Sequence, residues 1–292
     1  MAGNLTIGAL LAQGIGRLRD AGGPPSAAGD PLGASYSLDA ELLLAHALSM
    51  SRTQLKTHPE NVPSHDRARR YTELIDRRAA GEPVAYILGY RDFWTLRLAV
   101  SPAVLVPRPE TELLVERALA LVPSGRAQVA DLGTGSGAIA LALASERPEW
   151  AVAATDISED ALSTARTNAS MLSLGRVEFL KGQWFAPLAG RRFDLVVSNP
   201  PYVAEGDPAL QDAALKHEPH IALASGVDGM SAIREIVRSA PQYLERRGWL
   251  LLEHGSDQAA AVARELVVRG FGHVRSHRDL AGHERMTEAQ WI

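Results

Sequence analysis

The chain has 292 residues, of which 46% are hydrophobic and 22% charged, with a net charge of −4. That is enough for a full α/β domain and a smaller companion, with the composition of an ordinary soluble globular protein. It contains no cysteine, which excludes disulfides, thiolate nucleophiles and Cys-ligated zinc, and agrees with a reducing compartment.

Met1 to Asp20 has no basic segment ahead of its apolar stretch, and no apolar run approaches the ~20 residues of a membrane span, so a cytoplasmic protein without membrane contact is expected. Residues 1–88 show only helical periodicity. Leu5, Leu10, Leu11 and Leu18 predict a first helix, Leu38–Leu48 a second, and Arg67–Ala80 a third with Leu74 and Ile75 facing inward. A Gly/Pro-rich loop, Gly22 to Gly33, separates the first two. The region holds nine Lys/Arg and nine Asp/Glu, so the whole net charge falls on the remainder. Its arginine clusters (Arg67, Arg69 and Arg70, then Arg77 and Arg78) read as a solvated helix face, and no direct nucleic-acid contact is expected. With no chemical motif, residues 1–88 read as a helical docking domain.

From Tyr90 the periodicity changes. Leu96, Leu98 and Val100 alternate, and so do Val104 and Val106 after Ser101-Pro102, which predicts a β-hairpin linker within 89–106. From Pro107 to Ile292 helices and strands alternate. The expected helices are Thr111–Leu121, Ala138–Ser145, Ser158–Leu172, Ser231–Leu244 and Gln258–Arg269. The expected strands are Gln128–Leu132, Ala151–Thr155, Val177–Leu180, Phe193–Ser198, Trp249–Glu253 and His273–His277. This order predicts an α/β fold with a parallel, doubly wound sheet covered on both faces.

Two segments carry chemistry. Asp131-Leu132-Gly133-Thr134-Gly135-Ser136-Gly137 lies where the first strand of this region gives way to a helix, and the next strand ends in Asp156. Glycines at alternate positions allow a tight turn and close ligand approach, and an acid ~20 residues on suits ribose hydroxyls. The Gly-x-Gly-x-Gly spacing departs from the dinucleotide and P-loop patterns. With an acid ahead of it, the loop suits a cofactor with an ammonium group and no phosphates, namely S-adenosyl-L-methionine. The second segment, Asn199-Pro200-Pro201-Tyr202, follows the apolar run Phe193–Ser198. Its prolines fix φ and donate no N–H, so their carbonyls and the Asn oxygen can accept both N–H bonds of a planar –NH2 group while the Tyr ring stacks on it. An –NH2 cradle beside a methyl sulfonium makes a nitrogen methyltransferase; the bland alternative is a Pro-rich turn after a strand.

These residues resemble the bacterial peptide chain release factor N5-glutamine methyltransferase family. The likeness extends over Glu82-Pro83, Tyr86, Arg91-Asp92-Phe93-Trp94, Pro107-Arg108-Pro109-Glu110-Thr111-Glu112, Trp184-Phe185, Glu218-Pro219 and Ala222-Leu223. It implies a Rossmann-like class I methyltransferase domain at 107–292. Gly133, Thr134, Gly135, Ser136 and Gly137 would hold the methionine part of the cofactor, Asp156 the ribose, and Trp184 would lie beside the adenine. Asn199, also expected to touch the cofactor, would hold the substrate amide together with Pro200, Pro201 and Tyr202. The substrate implied is the Gln of the Gly-Gly-Gln loop of class-I release factors, the by-product S-adenosyl-L-homocysteine, and the enzyme a monomer that uses no metal. Gln183 stands where relatives often have Asp, the usual C-terminal Gly-Arg is missing, and Gly22–Ser35 looks like a local insertion. His217 and His220 read as loop histidines, and no dedicated general base is expected. Competing readings are a glutamine methyltransferase of a ribosomal protein, an adenine-N6 DNA methyltransferase, and a cofactor sensor without catalysis.

Overall fold

The structure, a computed structural model, describes residues 5–22, 36–122, 125–211 and 215–292; the Gly22–Ser35 insertion lies outside these apart from Gly22. The chain divides into two compact units. One runs up to Gly89 and includes the 3-10 turn Leu215–His217; the other comprises Tyr90–Gln211 and Glu218–Ile292.

The first unit is helical: α1 (Ile7–Asp20), α2 (Tyr36–Leu48), α3 (Arg52–Thr57), α4 (His65–Ala79) and α5 (Val84–Leu88). Ile7, Leu10 and Leu18 of α1 pack with Leu43, Leu44 and Leu48 of α2 and with Tyr71, Leu74 and Ile75 of α4. Apolar burial at helical spacing is what holds three short helices together in water. A buried Arg78–Asp39 ion pair at 2.8 Å ties α4 to α2. The spacing argument missed α3 and α5. α3 buries only Leu55 and so shows no stripe. Its signal is the Ser51/Gln54 capping box, in which each side chain bonds the other's backbone N–H. α5 is five residues long, too short for a period.

The second unit opens with a hairpin of β1 (Tyr90–Phe93) and β2 (Leu96–Ala99), in the register Tyr90↔Ala99 to Phe93↔Leu96. This corrects the sequence expectation, which placed the turn at Ser101-Pro102. The chain turns at Trp94, in the left-handed region (φ 55°). Glu112 holds it there by accepting the Trp94 N–H at 2.8 Å, and Glu146 accepts its indole N–H at 2.6 Å. The supposed second arm cannot ladder, because the Val104 N–H closes a turn onto Ser101 and the Val106 N–H goes to Glu218.

A 3-10 turn at Pro109–Thr111 leads into α6 (Glu112–Leu121). Then follow β3 (Gln128–Leu132), α7 (Ala138–Glu146), β4 (Ala151–Asp156), α8 (Glu159–Met171), β5 (Glu178–Lys181), β6 (Phe193–Ser198), α9 (Ser231–Ser239), β7 (Leu244–Glu253), α10 (Ala259–Arg269), β8 (Phe271–Arg278) and β9 (Glu284–Trp291). They form a seven-stranded sheet of order β5-β4-β3-β6-β7-β9-β8. Strand side chains alternate between two cores. Val129, Leu195, Val197 and Leu251 pack under α6 and α7, whereas Ala130, Val196, Leu250 and Leu252 pack under α9 and α10. The sheet is doubly wound, as expected.

Two details differ from the sequence reading. The expected helix to Leu244 stops at Ser239, because Pro241 has no N–H to donate, and β7 begins at Leu244. β9 was not foreseen, and it makes the sheet mixed, pairing antiparallel with β7 and β8. Its sequence shows no alternation because Met286, Thr287, Glu288 and Ala289 are all buried. The two polar ones are matched: Thr287 bonds His254, and Glu288 accepts from Arg117.

Candidate functional site

Sheet order and register build the site. The order reverses at β3, with β4 on one side and β6 on the other, and such a switch point opens a crevice at the strands' carboxyl ends. Leu132 pairs with Thr155 of β4 and with Ser198 of β6, and Ser198 pairs with Leu252 of β7. The next residue on each strand therefore stands level along that edge: Asp156, Gly133, Asn199 and Glu253. The two motifs meet because the register aligns their strands.

A cleft of about 130 Å³, open to solvent, lies over this edge. Gly133, Thr134, Gly135, Ser136, Asp156 and Trp184 line it from one side, and Asn199 and Pro201 from another. Gln183, Arg108, Thr111 and the exposed Ile221 are also in the lining. Gly137, Pro200 and Tyr202 are not in the lining. Gly137 caps α7 with φ 85°, and a Cβ there would press on Leu141 and Ala165 at 3.0 and 3.3 Å. It is glycine for packing. Pro200 is buried, and Tyr202 packs its ring with the core under α9 and α10. His217 and His220 are exposed.

The Gly loop is held from beneath. The N–H groups of Gly133 and Thr134 both donate to the Thr155 carbonyl, at 2.8 and 2.9 Å. Buried Asn168 of α8 donates to the Ser136 carbonyl at 2.9 Å. Asp131 is fully buried, and its Oδ2 accepts from the Thr134 hydroxyl at 2.6 Å and the Ala140 N–H at 3.2 Å. Its buried Oδ1 has no hydrogen-bond partner among the described residues. Burial pushes this carboxyl up to about 7, against the pull of those two donors.

Asp156 clamps the loop. Its Oδ2 accepts the Gly135 N–H and its Oδ1 the Ser158 N–H, each at 2.9 Å. Burial raises its pKa, and the N–H groups of Ser158, Gly135 and Ile157 oppose the rise. Each oxygen keeps a lone pair for further donors. Trp184 is in the left-handed region (φ 47°), its carbonyl fixed by the Thr155 hydroxyl at 2.9 Å, and its buried indole N–H has no partner among the described residues. The Trp184 ring lies over Gly133, where a Cβ would sit 3.2 Å from it. Gln183 donates to Glu235 at 3.2 Å.

On the far side Asn199 donates through Nδ2 to the Thr111 hydroxyl oxygen at 3.1 Å, which turns Oδ1 away from Thr111. The Tyr202 hydroxyl donates to Glu253 Oε1 at 3.3 Å, and burial raises the Tyr202 pKa. Glu253 is 2% exposed, and burial pushes it up to about 7. Buried Glu218 anchors the segment before α6, accepting from Arg108 at 2.5 Å and from the Val106 N–H at 3.1 Å. Sequence reasoning assigned no role to Glu253, Asn168 or Glu218, which act on motifs dozens of residues away. Glu253 alone had a local signal, a carboxylate closing the apolar run Trp249-Leu250-Leu251-Leu252, whereas Asn168 and Glu218 sit in polar stretches.

Comparison with known proteins agrees over nearly the whole chain. Residues 9–89 match a family described as the PrmC N-terminal domain, and residues 109–220 a methyltransferase small domain. A release factor glutamine methyltransferase of Pseudomonas aeruginosa is 51% identical over 88% of this chain and 93% of its own. One from Coxiella burnetii is 47% identical over 87% and 91%. Among solved structures, a methyltransferase from Pyrococcus furiosus superposes with a TM-score of 0.52 at 18% identity, covering 68% of this chain and 91% of that one. That likeness concerns the fold alone.

Proposed function

The chain belongs to the release factor glutamine methyltransferase family and is a methyltransferase, and from that premise we propose that it methylates the side-chain amide nitrogen of the Gln in the Gly-Gly-Gln loop of class-I release factors, with S-adenosyl-L-methionine as donor. The observation that carries the reading is Asn199, held by Thr111 in the lining of the same cleft as the Gly loop and Asp156.

The residues present fit that donor. Gly135 has open space where a Cβ would be. Asp156 has spare lone pairs for ribose hydroxyls. The buried, unpartnered Asp131 Oδ1 suits a cationic neighbour. Gln183 keeps a carbonyl that can accept from an adenine amine, as an Asp there would. When bound, S-adenosyl-L-methionine supplies an electrophilic methyl group.

A carboxamide nitrogen is a poor nucleophile because its lone pair is delocalised, and no side chain is basic enough to ionise it near neutral pH. Orientation is then the main contribution open to the protein. Asn199 Oδ1 would accept one amide hydrogen and stabilise the charge that grows on nitrogen during transfer, with buried Pro200 fixing the turn behind it. Exposed His217 and His220 have no part in this. Tyr202, bonded to Glu253, would support the pair from behind. Methyl transfer to a purified release factor, with a ribosomal protein and duplex DNA as comparisons, tests the reading. Preference for either comparison substrate counts against it.

Asp156 permits a separate check. Asp156→Ala is expected to weaken cofactor binding by about 1.5–3 kcal/mol, because two ribose hydroxyls and the Gly135 N–H lose a charged acceptor. Asp156→Asn should do less harm. Calorimetry that finds both variants binding as tightly as the parent removes Asp156 from the ribose site.

The helical unit, residues 1–88, is assigned a docking role on the release factor. It has its own apolar core and balanced charge. A specific protein complex normally buries about 1,200–2,000 Å² in total, more than a cleft gripping one Gln side chain can supply. Deleting residues 1–88 is expected to spare cofactor binding and to raise KM for the whole release factor far more than for a short Gly-Gly-Gln peptide. Equal losses on both substrates, with a folded truncated protein, would leave the unit a stabilising role only.

A further inference from the structure

Asn is nearly symmetric in shape and asymmetric in chemistry. Turned one way it offers the cleft an acceptor, and flipped it offers two donors that repel another –NH2 group. Something must fix its orientation, and Asn199 itself is only half-buried. Its side-chain partner among the described residues, the Thr111 hydroxyl, can both accept and donate, so Thr111 alone does not decide the matter.

Glu253 can decide it. It stands level with Asn199 on the adjacent strand, because Ser198 pairs with Leu252. It is buried, its Oε1 accepts from Tyr202, and its buried Oε2 has no hydrogen-bond partner among the described residues. A hydrogen bond from the Thr111 hydroxyl would satisfy that oxygen and favour the ionised carboxyl. A Thr hydroxyl has a single hydrogen. Once that hydrogen points at a carboxylate, the oxygen can only accept, and the group bonded to it from Asn199 must be Nδ2–H.

We propose that Glu253 is a positioning residue for methyl transfer, which through the single hydroxyl hydrogen of Thr111 locks Asn199 with its carbonyl oxygen toward the substrate amide, and through Tyr202 fixes the following turn. This rests on the functional reading above and deepens it. The lock depends on charge. Tyr202, Thr111 and Glu110 face Glu253 from the segments before α6 and after β6, and Arg285 from the start of β9. Burial dominates among their effects and raises the carboxyl to about 7. Above that pH Glu253 is an acceptor and the lock holds. As pH falls through it the protonated carboxyl can donate, the Thr111 hydrogen is released, and Asn199 can flip.

The test compares Thr111→Val, Thr111→Ser and Glu253→Gln with the full-length parent. Thr111→Val should lower kcat at least about tenfold with little change in cofactor affinity, and Thr111→Ser should recover to within about threefold of the parent. The parent kcat should fall on the acid side of about pH 7, and Glu253→Gln should lack that limb. A limb that persists in Glu253→Gln belongs to another buried group, Asp131 being the candidate, and overturns the pH lock. A second readout needs no substrate: hydrogen exchange of the Asn199 side-chain amide by NMR should quicken about tenfold or more in Thr111→Val and Glu253→Gln. Unchanged exchange in both variants overturns the proposal, whatever the activity assay gives. A parent that fails to methylate the release factor, with exchange quickened as expected, removes the functional reading and leaves the lock standing.

Discussion

Asn199→Ala is expected to bind the cofactor as the parent does and to lose on the order of 2–4 kcal/mol of transition-state stabilisation, roughly 30- to 1,000-fold in kcat. The side chain is anchored at one end by Thr111 and presents the other to the cleft, so truncation removes a preorganised acceptor without opening the core. The Gly loop and Asp156 hold each other through their own hydrogen bonds and have no need of Asn199, which is why cofactor affinity should survive. Calorimetry for the cofactor and a radiolabel assay for transfer separate the two effects. Near-parental kcat would end the proposed role of Asn199. A parallel loss of cofactor binding would instead place Asn199 on the cofactor.

The glycine loop and the Asn-Pro-Pro-Tyr turn were legible in the sequence because each is a contiguous segment whose backbone needs are written in its residue types. Left-handed φ values at Gly133, Gly135 and Gly137 require glycine or its few substitutes, and two prolines fix the path after β6. The doubly wound sheet was legible for a similar reason, since strands buried on both faces are unbroken apolar runs. Nothing local gave β9, whose buried Thr287 and Glu288 are matched by residues 33 and 171 positions away. The hairpin turn was misplaced because the dipeptide Ser101-Pro102 is a stronger local turn signal than Trp94, which is held in its turn by Glu112 and Glu146 from later helices. Glu253 was visible only as a strand end. Its place beside Asn199 depends on the β6–β7 register, and register is set by the assembled sheet.

Gly229→Ala is the substitution expected to damage both fold and site most. Gly229 is buried, at φ +72°, in the turn that leads into α9. An added Cβ would collide with the Tyr202 carbonyl oxygen, and would lie 2.7 Å from Gln258 Nε2 and 3.0 Å from the Tyr202 carbonyl carbon. Gln258 could swing aside, although it now donates to that carbonyl at 2.9 Å. Tyr202 could not. The two prolines before it restrict its backbone, and Val203 after it is pinned by a pair of hydrogen bonds with Leu223 and Ser225. The left-handed φ alone costs a residue with a Cβ roughly 1–2 kcal/mol, and overpacking adds about 1–3 kcal/mol. The sum, about 2–5 kcal/mol, lowers Tm by roughly 5–15 °C for a unit of this size, and displacement of Tyr202 from Glu253 should lower kcat as well. Gly282→Ala supplies the control, since Gly282 has φ +86° and open space where its Cβ would go. It should show the backbone cost alone and keep the parental kcat. If Gly229→Ala proves as mild as Gly282→Ala, then the turn into α9 does not brace Tyr202, and the rigidity ascribed to the Asn-Pro-Pro-Tyr segment must come from its prolines alone.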